Sequence, residues 1–250
     1  MKFTGLSDQG KTRTSNQDSF INIEDESGNL LAMVCDGVGG GNHGEIASNM
    51  TTKAMTDYFL DNEGFKDIED AQAWLFTSIN KANLLVNQRG NEVEEYKGMG
   101  TTLVCLLVTK FGMIVANIGD SRAYALYSDR SFRTVTVDHT YVAELVQSGQ
   151  ISLEEALQHP KRHVITNAIG LWPKVEVDFF KLDPEVKSVM LCSDGLYDFV
   201  SENEMIAIIK DQRLNIKTKV SRLIDKANEA GGFDNITVII VEPEEGNNHE

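Results

Sequence analysis

Thr101-Thr102-Leu103-Val104-Cys105-Leu106-Leu107-Val108-Thr109-Lys110-Phe111-Gly112-Met113-Ile114-Val115-Ala116-Asn117-Ile118 holds two apolar, β-branched runs around a short break. Residues 101–109 and 113–118 read as the two strands of a hairpin that turns at Lys110-Phe111-Gly112. A second hairpin follows, with strands Arg122–Tyr127 and Phe132–Val137 joined through Ser128-Asp129-Arg130. Successive hairpins require antiparallel sheet.

Outward from these hairpins, Leu30–Cys35, Val175–Leu182, Val189–Cys192 and Ile236–Val241 also read as strands, and none is read before Leu30. Helical spacing appears over Gly44–Leu60, where Ile46, Met50, Ala54 and Phe59 recur, and over Asp67–Arg89, where Ala71, Trp74, Leu75, Ile79, Ala82 and Val86 share one face. Two further helices are expected near Glu202–Lys210 and Ile216–Glu229, and one short helix within Thr140–Pro173. Long amphipathic helices need an apolar surface to cover. Two antiparallel sheets packed as a central β-sandwich and flanked by α-helices, an α+β fold of αββα layers, supply it. No linker or repeat interrupts residues 1–241, which predicts a single domain; the acidic, polar tail 242–250 is expected to be disordered.

The 250 residues are 41% hydrophobic and 24% charged, ordinary values for a globular chain. The formal charge of −15 argues against nucleic acid and against an anionic membrane as partners. It suits substrates with basic residues around the reacting group. No run approaches the roughly 20 apolar residues of a membrane span, and the N-terminus lacks a secretory core. The three cysteines, Cys35, Cys105 and Cys192, sit apart in apolar runs, which fits a reducing, cytoplasmic setting.

Four short segments put an aspartate beside a glycine, an asparagine or a strand end: Asn16-Gln17-Asp18, Cys35-Asp36-Gly37-Val38-Gly39-Gly40, Cys192-Ser193-Asp194-Gly195 and Phe233-Asp234-Asn235. A carboxylate at the end of a buried strand is costly unless its charge is compensated. Four of them suggest a shared cation, and oxygen-only donors suit a hard ion such as magnesium or manganese. Taken singly, Asp-Gly is more often a hairpin turn. Yet Asp36 leads into glycines and a helix, and Asp194 into Leu196-Tyr197-Asp198 and another helix, so neither has the returning strand a hairpin needs. Gly37, Gly39, Gly40 and Gly41 allow sharp bends and close backbone approach to a ligand. Arg13, five residues before Asp18, is a solvated surface arginine, a neutraliser of carboxylates or a phosphate clamp.

The order Arg13-Thr14-Ser15-Asn16-Gln17-Asp18, Asp36-Gly37-Val38-Gly39-Gly40, Gly98-Met99-Gly100-Thr101-Thr102, Gly119-Asp120-Ser121-Arg122, Ser193-Asp194-Gly195 and Asp234-Asn235-Ile236-Thr237 closely resembles the PPM (protein phosphatase 2C) family of serine/threonine phosphatases, in its compact bacterial form. The resemblance spans residues 3–241. It implies the same sandwich fold and hydrolysis of phosphoserine and phosphothreonine by a metal-activated water, without a phosphoenzyme. It further implies that Asp36 bridges two Mn or Mg ions, with the Gly37 carbonyl in one shell. Asp194 and Asp234 then hold the second ion, Asp18 lies near the centre, and Asp120 with Asp194 supports a third, weaker ion. Arg13 matches the arginine that binds the substrate phosphate, and residues 142–173 match a flap beside the site. The implied partner is a phosphoprotein, a serine/threonine kinase among the candidates, with the enzyme acting as a monomer.

The chain departs from the family at Val38 and Gly41, where many members have a histidine. His43 is the nearest, and its offset favours a structural place at the helix start over a general acid. Asn235, Thr237, Gly98, Gly100, Thr101, Ser121 and Arg122 read as shaping residues. The alternatives are a catalytically silent module on the same fold, which would be expected to lack Asp36, Asp194 or Asp234, and a two-metal nuclease, which lacks a basic patch here.

Overall fold

Extended structure begins at the second residue: β1 (Lys2–Asp8) and β2 (Asp18–Glu24) precede β3 (Leu30–Val38) in the computed structural model, which describes residues 1–39 and 43–243. β1 and β2 are absent from the sequence expectation because both are half-buried and mix polar with apolar residues. Gly40 and Gly41 of the glycine run, and residues 244–250 of the expected disordered tail, lie outside the described residues. The long helices follow as expected, α1 (His43–Leu60) and α2 (Ile68–Glu92), the latter capped by Asp67 accepting from the Asp70 amide.

Next come β4 (Gly100–Thr101) and the hairpin of β5 (Leu103–Thr109) with β6 (Gly112–Ile118). The second hairpin pairs β7 (Arg122–Tyr127) with β8 (Phe132–Thr134), whose outer strand is shorter than expected. The segment beyond it holds two short helices rather than one, α3 (Tyr141–Gln147) and α4 (Leu153–Leu157). Reciprocal bonds between Ser152 and Glu155, a capping box, start the second of these. β9 (Asp178–Leu182), β10 (Val186–Cys192), α5 (Asp194–Tyr197), α6 (Glu202–Ile209), α7 (Ile216–Glu229) and β11 (Ile236–Glu242) complete the chain. β9 begins at Asp178 rather than Val175, and Glu242 belongs to the last strand, where it pairs with Lys219 at 3.2 Å.

The strands form two antiparallel sheets, β1-β11-β10-β7-β8 and β2-β3-β5-β6-β9, with β4 paired to β3. Strand alternation shows why the central strands are apolar throughout. Leu30, Ala32 and Val34 of β3 point into the layer between the sheets, against Val189, Leu191, Ile239 and Val241. Leu31, Met33 and Cys35 point the other way, onto Met55 and Phe59 of α1 and Leu75 and Ile79 of α2. Behind the other sheet, Val220, Leu223 and Ile224 of α7 cover Met190, Val238 and Ile240. Both faces of each central strand are therefore dry, and four layers result.

One end of this sandwich collects the C-terminal ends of β3, β6 and β10 and the N-terminal ends of β2, β7 and β11. The pairings Asp18↔Asp36, Leu103↔Ile118 and Cys192↔Val238 align them. The predicted carboxylates all lie at that end.

Candidate active site

Asp18 opens β2 and stands opposite Asp36 near the end of β3. Asp120 sits in the connection from β6 to β7, where the chain crosses between the sheets. Asp194 is the first residue of α5, directly behind β10, and Asp234 lies two residues before β11. Asp18 and Asp120 are buried; Asp36 and Asp194 are half-buried and reach the surface.

Close backbone passage brings these segments together. A Cβ on Gly37 would stand 2.3 Å from the Gly44 carbonyl carbon, and one on Gly44 would meet Gly37 at 2.6 Å. The sequence reading gave Gly37 to close approach of a ligand; the structure shows that its open side faces the backbone of α1. Likewise a Cβ on Gly195 would meet the Asn235 carbonyl oxygen at 2.0 Å. Each Asp-Gly pair thus lets a second chain segment pass against the strand end.

Hydroxyls then fix the carboxylates. Asp18 Oδ2 accepts from Ser193 Oγ at 2.7 Å and from Thr237 Oγ1 at 2.6 Å, so an aspartate of the β2–β3 sheet is held by residues in and just behind the β10 and β11 strands of the other. Its Oδ1 is buried with no hydrogen-bond partner. Asp36 is held through its backbone: its amide donates to Thr102 Oγ1 (2.9 Å), and its carbonyl accepts from Thr101 Oγ1 (2.8 Å) and the Thr102 amide (2.8 Å). The Asn235 side chain accepts from the Gln17 amide and donates to the carbonyls of Gln9 and Ser15, setting the approach to Asp18. Tyr197 Oη donates to the Asp120 carbonyl at 2.9 Å. The Arg122 guanidinium lies 3.6 Å from the Tyr197 ring and forks onto Asp138 at 2.9 and 2.7 Å.

Electrostatically the cluster is short of positive charge. Burial, then repulsion from Asp18, Asp194, Asp120 and Asp234, holds the Asp36 carboxyl well above the usual carboxylate range. Asp194 is raised in the same way by burial and then by Asp120 and Asp234. Burial lifts Asp120 to about 7, with the Asp138 charge adding to it. Asp18 rises to about 6 through burial, against the pull of the Thr237 and Ser193 hydrogen bonds. Among the described residues the one cation paired with the five aspartates is Arg13, whose Nη2 lies 2.6 Å from Asp234 Oδ2 and whose Nε donates to the Phe233 carbonyl at 3.3 Å.

The structure therefore brings all the sequence-predicted residues, Arg13, Asp18, Asp36, Gly37, Asp120, Asp194 and Asp234, to one end of the sandwich. It adds others that the sequence reading left as shaping residues or passed over. Thr237 is the polar exception within the buried part of β11, and that exception is the signal in the sequence that it has a task. Ser193 and Thr102 carried no comparable signal. His163, from the segment between β8 and β9, reaches Asp198 at 3.5 Å, and together with Asp194 they bring one candidate ligand atom each within 4.8 Å of one another. No other trio of acid, histidine or cysteine side chains among the described residues is that tight. His43 starts α1 and lies against Tyr96, ring centroids 5.9 Å apart.

Comparison with known proteins agrees with this geometry. The family model described as Protein phosphatase 2C matches residues 9–227. The serine/threonine phosphatase stp of Listeria monocytogenes is 36% identical over 236 residues, covering 94% of this chain and 93% of its own. The protein phosphatase PhpP of Streptococcus pneumoniae is 34% identical over 242 residues, covering 96% and 97%. Among solved structures, a serine/threonine phosphatase from Staphylococcus aureus superposes with a TM-score of 0.90 at 34% identity, over 97% of this chain and 95% of that one. The PstP/Ppp phosphatase of Mycobacterium tuberculosis gives 0.84 at 31%, over 96% and 97%. A fold with the same layers, the motifs in the same order and likeness along nearly the whole length converge: the chain belongs to the protein phosphatase 2C family.

Proposed function

We propose that this chain is a metal-dependent protein serine/threonine phosphatase that hydrolyses phosphoserine and phosphothreonine monoesters. The observation that carries the reading is the buried, partnerless Asp18 Oδ1 amid carboxylates whose proton affinities are raised by burial and by one another. Such a cluster is stable as anions when divalent cations lie among them, and an all-oxygen donor set suits manganese or magnesium. Asp36, the Gly37 carbonyl, Asp194 and Asp234 would hold two ions, Asp18 would orient and balance them, and Asp120 with Asp194 would serve a third. When bound, the ions supply the Lewis acidity that makes water a nucleophile near neutral pH and balances charge on the phosphate.

The chain's own residues do the rest. Arg13 has five N–H donors, of which two are committed to Asp234 and the Phe233 carbonyl, leaving three for phosphate oxygens. Its side chain is 52% exposed, so a phosphoprotein reaches it without rearrangement. Ser193, Thr237, Thr101 and Thr102 keep the carboxylates in place as charge moves at phosphorus. A covalent thiol route is disfavoured: Cys35, Cys105 and Cys192 are buried, and burial pushes each thiol up, Cys105 to about 12. Three buried free thiols also support action in a reducing, cytoplasmic compartment, and no helix among the described residues is long and apolar enough to cross a membrane. The inferred unit is residues 1–241 as a monomer, opposing a serine/threonine kinase.

Release of phosphate from a phosphothreonine peptide, with manganese added and then withdrawn by chelator, tests the reading. Metal-dependent release supports it; a folded, manganese-binding protein that releases no phosphate sinks it.

A further inference from the structure

Segment 138–141 lies between Asp120 and the stretch 142–173, and His139 at its second position bonds to both sides of it. Its backbone amide donates to the Gly119 carbonyl at 2.9 Å, and the Gly119 amide donates back to His139 Nδ1 at 3.2 Å. The ring nitrogen thus stands where a partner strand's carbonyl would stand. The His139 carbonyl is thereby free for another donor, and accepts from the Thr166 amide at 2.9 Å. Asn167 Nδ2 also reaches Nδ1, at 2.9 Å, and Nε2 lies 3.1 Å from Asp178 Oδ2 on β9. Two N–H donors on Nδ1 assign it as the acceptor and place the ring proton on Nε2, toward Asp178. Just beyond, Tyr141 donates to the Val164 carbonyl, and Thr140 bridges Ile165. The far end of the same stretch is tied too: Ile169 and Thr101 exchange amide-to-carbonyl bonds, and the Thr101 hydroxyl holds the Asp36 carbonyl. Residues 140–169 are therefore moored at one end to the turn carrying Asp120 and at the other to the strand carrying Asp36.

We propose that His139 is a positioning residue that locks the Gly119-Asp120 turn to the base of this stretch through Nδ1, setting where the Asp120 carboxylate can meet a cation. The proposal rests on the phosphatase reading only in taking Asp120 as a metal ligand. A cavity of about 700 Å³ lined by His139, Asn167, Trp172 and Asp178 lies beside the ring; Nε2 meets only the half-exposed Asp178 carboxylate, whereas Nδ1 meets the Gly119 amide of the turn itself.

Two substitutions separate the ring nitrogens: H139N puts an acceptor where Nδ1 stands, while H139Q puts its polar end toward Nε2. Manganese binding by calorimetry and amide exchange by mass spectrometry read the effect without activity. With H139Q the peptide covering Gly119–Arg122 is expected to exchange at least tenfold faster and the weakest manganese site to lose about tenfold in affinity. With H139N both are expected to stay within twofold of wild type. Asn167→Ala is expected to speed exchange of residues 164–169 alone. H139Q with unchanged manganese binding and Gly119–Arg122 exchange, or H139N no better than H139Q, would overturn the proposal. An inactive wild-type protein would overturn the phosphatase reading and leave these measurements standing.

Discussion

Asp18 and Asp36 are direct cross-strand partners, two carboxylates facing each other in the register of β2 and β3. Like charges so placed destabilise a sheet, and the donors that hold Asp18 Oδ2 are two neutral hydroxyls, Ser193 and Thr237, not a cation. A stability cost of this kind is what the proposed cations would offset. Asp36→Asn is therefore expected to lower turnover by roughly 10³-fold, about 4 kcal/mol of barrier, yet to raise the melting temperature in chelator. A chelated variant that melts below wild type contradicts the electrostatic account.

The same charges give the metal-free protein an inverted pH profile. Folding raises Asp18 from 3.8 to about 6 and Asp120 from 3.8 to about 7. The folded state then binds more protons than the unfolded one between about pH 4 and pH 7, so stability falls as pH rises through that window. Melting in chelator is expected to drop by about 8–16 °C between pH 5 and pH 8, from about 4 kcal/mol of linkage at roughly 2–4 °C per kcal/mol for this size. Saturating magnesium is expected to restore most of that loss at pH 8 and little at pH 5. A chelated melting temperature that climbs over the same range refutes the prediction.

Thr237→Val removes one of two donors on Asp18 Oδ2 while keeping the shape of the side chain. Losing a hydrogen bond to a charged group costs about 1.5–3 kcal/mol, and residues supporting metal ligands typically matter 10–100-fold. The variant is expected to need at least tenfold more manganese for half-maximal activity; titration of activity against manganese decides it.

Arg13→Ala is expected to raise KM for a phosphopeptide by about 10–100-fold, the worth of a charged hydrogen bond, with the manganese requirement within threefold of wild type. Arg13→Lys should fall between, since a point charge replaces the fork. A change confined to metal affinity would make Arg13 a partner of Asp234 alone.

Gly44→Ala tests the backbone contact of α1 with β3. The added methyl meets Gly37 main-chain atoms that have no flexible end to move, at 2.6 Å. Destabilisation of about 1–3 kcal/mol or more is expected by chemical denaturation, and a silent substitution would show that α1 can shift.

Legibility in the sequence followed burial. β3, β5, β6 and β11 are buried over most of their length and appear as largely apolar runs, so the hairpins and the sandwich could be read directly. β1 and β2 lie at the sheet edges, each with one neighbour, and keep polar residues such as Ser7, Ser19 and Asn22, which erase the run. Asp36 and Asp194 were conspicuous because charge interrupts an apolar pattern beside glycine. Ser193, Thr102 and His139 were not, since their tasks depend on partners 175, 66 and 20 positions away in the chain. The relation of His163 to Asp194 likewise exists only after the chain folds back from α4.

The first and last strands pair along their whole length, Lys2 with Glu242 through Asp8 with Ile236. Thr237 thus reaches Asp18 from 219 positions further along the chain. Loss of β11 would therefore strip β1 of its partner strand and Asp18 of the Thr237 hydroxyl, so the oldest and youngest parts of the chain answer for the same carboxylate.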